Sequence, residues 1–95
     1  MRRFIIVVDD ATPTQQDAIS NHFQNLRLAF WHRFTDMWLI ADPTDSMTTN
    51  TLRDAVKRAI SVKAVLVMKV DSPTAWASFG NKGDFDWLKT EWAKK

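Results

Sequence analysis

The side chains able to do chemistry in this chain gather at three places. The first is Asp9-Asp10, directly after the apolar run Phe4 to Val8. Carboxylates are hard oxygen donors suited to a divalent cation. They are also residues that end strands and cap turns. Adjacent carboxylates on a strand point to opposite faces, so this pair cannot chelate one ion within one chain. Only a two-fold axis through a second copy would bring two together. The second place is Trp31-His32-Arg33. Imidazole titrates near neutrality, so His32 is a candidate general base or ligand. It is equally a candidate buried or interface histidine, bonded to a carboxylate such as Asp36. An indole beside a guanidinium on an open sheet face stacks and neutralises nucleotides or single-stranded nucleic acid. The same residue types are enriched at protein interfaces. The third place is Arg53, Lys57 and Arg58, which with Lys63 make a small basic surface. It offers phosphate contacts, whose signature is salt dependence, or an ordinary solvated face.

The elements that must position these groups follow from hydrophobic period. Residues 3–9 predict a strand, with Phe4, Ile6 and Val8 on one face and Ile5 and Val7 on the other. A strand apolar on both faces belongs inside a sheet. Thr12-Pro13 starts a helix, with Gln15 three residues after the cap, and Ile19, Phe23 and Leu26 as the stripe facing the sheet. Strands over about 28–34 and 37–41 close across Thr35-Asp36. Alternation places His32 with Phe30 and Phe34 on one face, and Trp31 and Arg33 with Trp38 on the other. Asp42-Pro43 ends the third strand. A helix over about 49–60 buries Leu52, Val56, Ala59 and Ile60, and exposes Arg53, Lys57 and Arg58. Val62 to Val70, the most hydrophobic run, predicts a central or well-covered strand.

The order β-α-β-β-α-β predicts an α+β, ferredoxin-like sandwich over residues 1–71. Residues 72–95 extend the same domain. Ser72-Pro73 breaks the chain, both glycines follow, and a last helix near Asp84 carries the stripe Phe85, Leu88, Trp92. With three of the five tryptophans, this tail must dock on its own domain or on a partner copy.

Composition limits the chemistry. At 95 residues, 45% hydrophobic and 25% charged, the chain is one ordinary globular domain. It has no cysteine, which removes disulfides, thiolate catalysis and cysteine-ligated zinc. A net charge of +2 lacks the concentrated basic face of a dedicated DNA binder. The N-terminal apolar run is too short for a signal peptide or a membrane span, so a cytoplasmic protein without a membrane partner is expected. No Gly-rich phosphate loop, HExxH, G-x-S-x-G or zinc spacing occurs.

Taken together, the aspartate after strand one, Trp31-His32, Asp36-x-Trp38-Leu39-Ile40 and the tryptophan-bearing tail resemble the small SinR-like proteins. That group is similar to the CRISPR-associated small endoribonuclease subunit and to virulence-associated protein D. The resemblance covers about residues 4–88. It implies a ferredoxin-like homodimer pairing through its sheets. In the nuclease members, it implies an aspartate at the end of strand one holding a divalent metal between two copies. In this chain that aspartate is Asp9, and Mg²⁺ would polarise a phosphodiester and orient water.

Three functions stand side by side. One is a nucleic-acid-associated protein with metal-dependent endoribonuclease activity, or its inactive relative. Another is a non-enzymatic binder of a nucleotide or signalling molecule at the dimer seam, through Trp31, His32, Arg33 and Trp38. The third is a protein–protein adaptor or inhibitor acting through its aromatic tail.

Overall fold

A computed structural model describes residues 1–71 and 75–93. The chain runs β1 (Arg2–Val8), α1 (Pro13–Asn25), β2 (Ala29–Phe34), β3 (Met37–Asp42), α2 (Thr49–Ala59) and β4 (Val65–Val70). Every neighbouring pair of strands is antiparallel, and the order across the sheet is β2-β3-β1-β4. β1 sits inside the sheet, as its two apolar faces require.

The β1 alternation sorts the molecule into layers. Phe4, Ile6 and Val8 join Trp38 and Ile40 on one face, closed by Ile19 and Phe23 of α1 and Leu52 and Val56 of α2. Both helices begin with reciprocal capping boxes. Thr12 pairs with Gln15, and Thr48 pairs with Thr51. On the other face Ile5, Trp31 and Leu39 meet Leu88 and Trp92 from the C-terminal segment. The tail therefore docks on its own sheet.

The tail follows the expected Phe85, Leu88, Trp92 stripe in a different conformation. A 3₁₀ turn, Lys82–Phe85, leads into a π-helical turn, Leu88–Trp92. Two side chains of the sheet fasten it. Arg3 Nε donates to the Trp92 carbonyl at 2.5 Å, and Trp31 Nε1 donates to the Asp84 carbonyl at 2.5 Å. The expected Ser72-Pro73 break lies outside the described residues.

Three placements differ from the sequence expectation. β4 starts at Val65 and is an edge strand. Val65 and Val67 pack on the helix-side core, but Leu66 and Met68 are 56% and 51% exposed on the opposite face. Hydropathy set the strand's composition, while topology set its position beside β1 alone.

Leu26 leaves the α1 stripe because the helix ends there. Arg27 turns left-handed (φ 59), its N–H bonds to the Gln24 carbonyl, and the Leu28 N–H bonds to Phe23. This is a Schellman closure, and it buries Leu28 instead of Leu26.

Phe34 changes face. Trp31 pairs with Leu39 and Phe34 with Met37, so β2 spends three steps where β3 spends two. The extra residue is a β-bulge, and it rotates Phe34 onto the side of Trp31. Because Trp31 is opposite Leu39, Trp38 falls on the helix face, away from Trp31 and Arg33.

Candidate functional site

The bulge in β2 shapes an aromatic cavity. It brings Phe34 into a T-shaped contact with Trp31, with ring centroids 5.0 Å apart, and Phe85 completes a triangle of rings, stacked on Trp31 at 5.8 Å and meeting Phe34 at 6.5 Å. Leu39 and Met37 from β3, with Leu88, form the floor, while residues 76–79 form the opposite wall. The half-open space is about 270 Å³, and no charged side chain lines it. Its aromatic rim is wet. Phe34 is 51% exposed, Trp76 40%, and Phe79 fully exposed at 103%.

Gly80 shapes that wall. Its φ of +146 suits glycine, and a Cβ there would come within 3.3 Å of the Phe85 ring. A second cavity, about 260 Å³, adjoins the first. The two share Trp76, Ser78 and Phe85, and the second adds the exposed Lys89. In a separate depression that Trp31 also lines, Arg33 and Asp84 make a loose, exposed ion pair at 3.8 Å.

The remaining candidates are separated by the fold. Trp38 is fully buried between Phe23 and His32, and its Nε1 donates to the Ser20 hydroxyl at 3.0 Å. It has no surface on which a ligand could stack. His32 lies flat on Trp38, with centroids 3.9 Å apart and planes 2° apart. Its Nδ1 meets the Met37 carbonyl at 3.0 Å and its Nε2 meets Gln16 Oε1 at 3.0 Å. The Gln16 amide is itself anchored by donation to the Ala11 carbonyl at 3.0 Å. Both ring nitrogens are thus engaged, and the partners are Met37 and Gln16, not the expected Asp36. Trp31 is buried, with its indole N–H bonded to the tail, so it offers no open stacking platform.

Asp9 and Asp10 sit exposed at the end of β1. Asp9 is held by its backbone, its N–H donating to the Ala64 carbonyl at 3.0 Å. Asp10 adopts a left-handed conformation (φ 56) and receives Lys63 Nζ at 2.9 Å. The hydrogen bond and charge of Lys63 hold the Asp10 carboxyl below its ordinary range. The same contact with Asp10, with a smaller contribution from the charge of Asp9, raises the Lys63 ammonium. Among the described residues, no three His, Cys, Asp or Glu side chains converge as a metal-ligand group. A Mg²⁺ ion at Asp9 would find one carboxylate per chain with an ammonium nearby. A single chain does not fit that metal.

On α2, Arg53 is bonded to Asp54 at 3.0 Å, and this bond lowers the Asp54 carboxyl. Lys57 and Arg58 project to solvent beside the same aspartate, around a shallow depression.

Two structurally central residues were missed from sequence. Asp42, expected only to end a strand, is fully buried. Burial alone would raise its carboxyl. Hydrogen bonds from the Met47 N–H, the Thr44 hydroxyl and N–H, and the Ser46 N–H outweigh burial and hold it low. The run Asp42-Pro43-Thr44 was the available signal, because aspartate commonly bonds the backbone two residues ahead. Arg3, also buried, ties β1 to the tail, and nothing local in the sequence announces a contact 89 residues away.

No helix among the described residues is long and apolar enough to cross a membrane. Comparison with family models, with curated proteins and with solved structures gives no match, so no family follows from these comparisons.

Proposed function

We propose that this chain is a non-enzymatic binding module whose ligand seat is the aromatic cavity between the β2–β3 hairpin and the C-terminal segment. One observation carries this reading. Trp31, Phe34, Trp76, Phe79 and Phe85 surround a single uncharged space, and three of the five present substantial ring surface to water at its rim. Contiguous exposed aromatic surface is costly to solubility, and on small proteins it marks interaction sites. Such a site selects by shape and desolvation, which suits capture better than proton transfer.

The accompanying fold reading is a ferredoxin-like sandwich. It is supported by the strand order β4-β1-β3-β2, counted from the β4 edge, and by two helices packed into one core on one face. Self-pairing through the sheet belongs to the same proposal. Since the tail covers the β2–β3 side, pairing would use the free β4 edge with Val7, Leu66 and Met68.

An NMR screen of the full chain against small apolar fragments tests the binding site. Shifts are expected at the methyl groups of Met37, Leu39 and Leu88, on the cavity floor. Phe34→Ser and Phe79→Ser should weaken uptake about tenfold, as loss of ring burial predicts, and Phe79→Ser, at a fully exposed position, should leave the melting temperature nearly unchanged. Perturbations confined to Asp9 or to the basic face of α2 would overturn the proposal.

A further inference from the structure

The two adjoining cavities differ in one chemical respect. The larger is walled by aromatic and aliphatic groups and Ser78, with no charge, and the smaller has Lys89 as its one charged lining residue. They are neighbours that share Trp76, Ser78 and Phe85 as walls, so a ligand seated in the larger has the smaller beside it. Among the described residues, the Lys89 ammonium is held by no ion pair or hydrogen bond. Arg33 lines neither of these cavities and makes its loose pair with Asp84.

Resting on the binding-module reading above, we infer that the site takes an apolar ring or branched group joined to a carboxylate. The apolar group fills the space against Trp31, Phe34, Leu39 and Phe85, and the carboxylate reaches Lys89 across the Trp76–Phe85 boundary.

Physical chemistry assigns each half of that ligand. A charge placed in the larger cavity would lose part of its hydration and meet no charged partner, which disfavours ions there. An apolar group of one or two rings matches about 270 Å³. At the far end, an exposed ammonium favours an anion modestly, since water screens it. The carboxylate therefore adds selectivity, and the apolar group carries the affinity. This chemistry has two sources: a free aryl or alkyl carboxylate, and a peptide with a bulky apolar residue beside an acidic one.

Titration of the full chain with 3-phenylpropionate and its neutral counterpart 3-phenylpropanol, followed by NMR, tests the inference. The acid is expected to bind about two- to five-fold more tightly, the range of one exposed ion pair. That advantage should vanish in Lys89→Gln, and at high salt, but persist in Arg33→Gln. Equal affinities in the unsubstituted protein, with both ligands shifting the cavity floor, would overturn the ligand class and leave the binding module standing. Absence of binding by either ligand would overturn both. A parallel arm compares the capped dipeptides Phe-Asp and Phe-Asn. Preference for Phe-Asp that exceeds the small-acid preference identifies a protein segment as the source. The reverse order identifies a free carboxylate, and both orders support the ligand class.

Discussion

Asp42 shows how a residue suited to chemistry can be committed to structure. Its two oxygens collect the Thr44 N–H and hydroxyl and the Met47 N–H at 2.8 to 3.1 Å, building the turn that feeds α2. Removing the carboxylate would break three hydrogen bonds from part-buried donors, a loss of about 0.5–1.5 kcal/mol each. Asp42→Ala should therefore lower the denaturant midpoint markedly at pH 7. The pH dependence has a definite sign. A carboxyl held below its ordinary value of 3.8 contributes stability at pH values above that figure. The contribution disappears as pH falls through the lower, folded-state value. Acid unfolding curves of the wild type should lose this stability below about pH 4, while Asp42→Ala lacks it throughout. Curves that stay parallel would refute the assignment. His32 has a comparable fate. Stacked on Trp38 and bonded at both nitrogens, it ties the hairpin to α1.

At the scale of elements, the α1 terminus stores strain in an ordinary-looking residue. Arg27 occupies the left-handed position that glycine favours, and its bonds close a Schellman motif. A left-handed L-residue costs about 1–2 kcal/mol, partly offset by the flexibility glycine would bring to the unfolded chain. Arg27→Gly is expected to stabilise the protein by about 0.5–1 kcal/mol, read as a raised melting temperature. An unchanged or lower value would show that the arginine side chain contributes something the exposed position does not suggest. The β2 bulge is the second decisive element. Without its extra residue, Phe34 would share the face of His32, and the cavity would lose a wall.

For the whole molecule, the question is whether the tail is an accessory or part of the core. Leu88 and Trp92 are buried against Trp31 and Leu39, at roughly 1.5–3 kcal/mol each. Two long-range hydrogen bonds add to this. Small domains hold only about 5–15 kcal/mol in total. Deleting residues 84–95 should therefore leave a marginal, dye-binding chain with a broad, lowered thermal transition. A truncated chain that melts as sharply as the full one would show the tail to be dispensable. The β4 edge makes a separate prediction. Its free backbone beside exposed Leu66 and Met68 is a template for pairing. Light scattering should show concentration-dependent association that Leu66→Lys reduces, and a strict monomer at high concentration would refute it.

Much of the architecture was written locally. The Thr12 and Thr48 caps, the two-faced β1 and the hairpin over Thr35-Asp36 depend on neighbours a few residues apart, so period and capping chemistry determine them. The aromatic content of the tail likewise required a docking surface. What the tertiary structure decided is which surfaces meet. Trp31 and Trp38 part company because of one extra residue in β2, a slip that reverses side-chain direction without altering composition. β4 became an edge because strand order is a property of the whole chain path. The cavity exists because Arg3 and Trp31 hold segments 89 and 53 residues away, and contacts at such separations leave no periodic trace in the sequence.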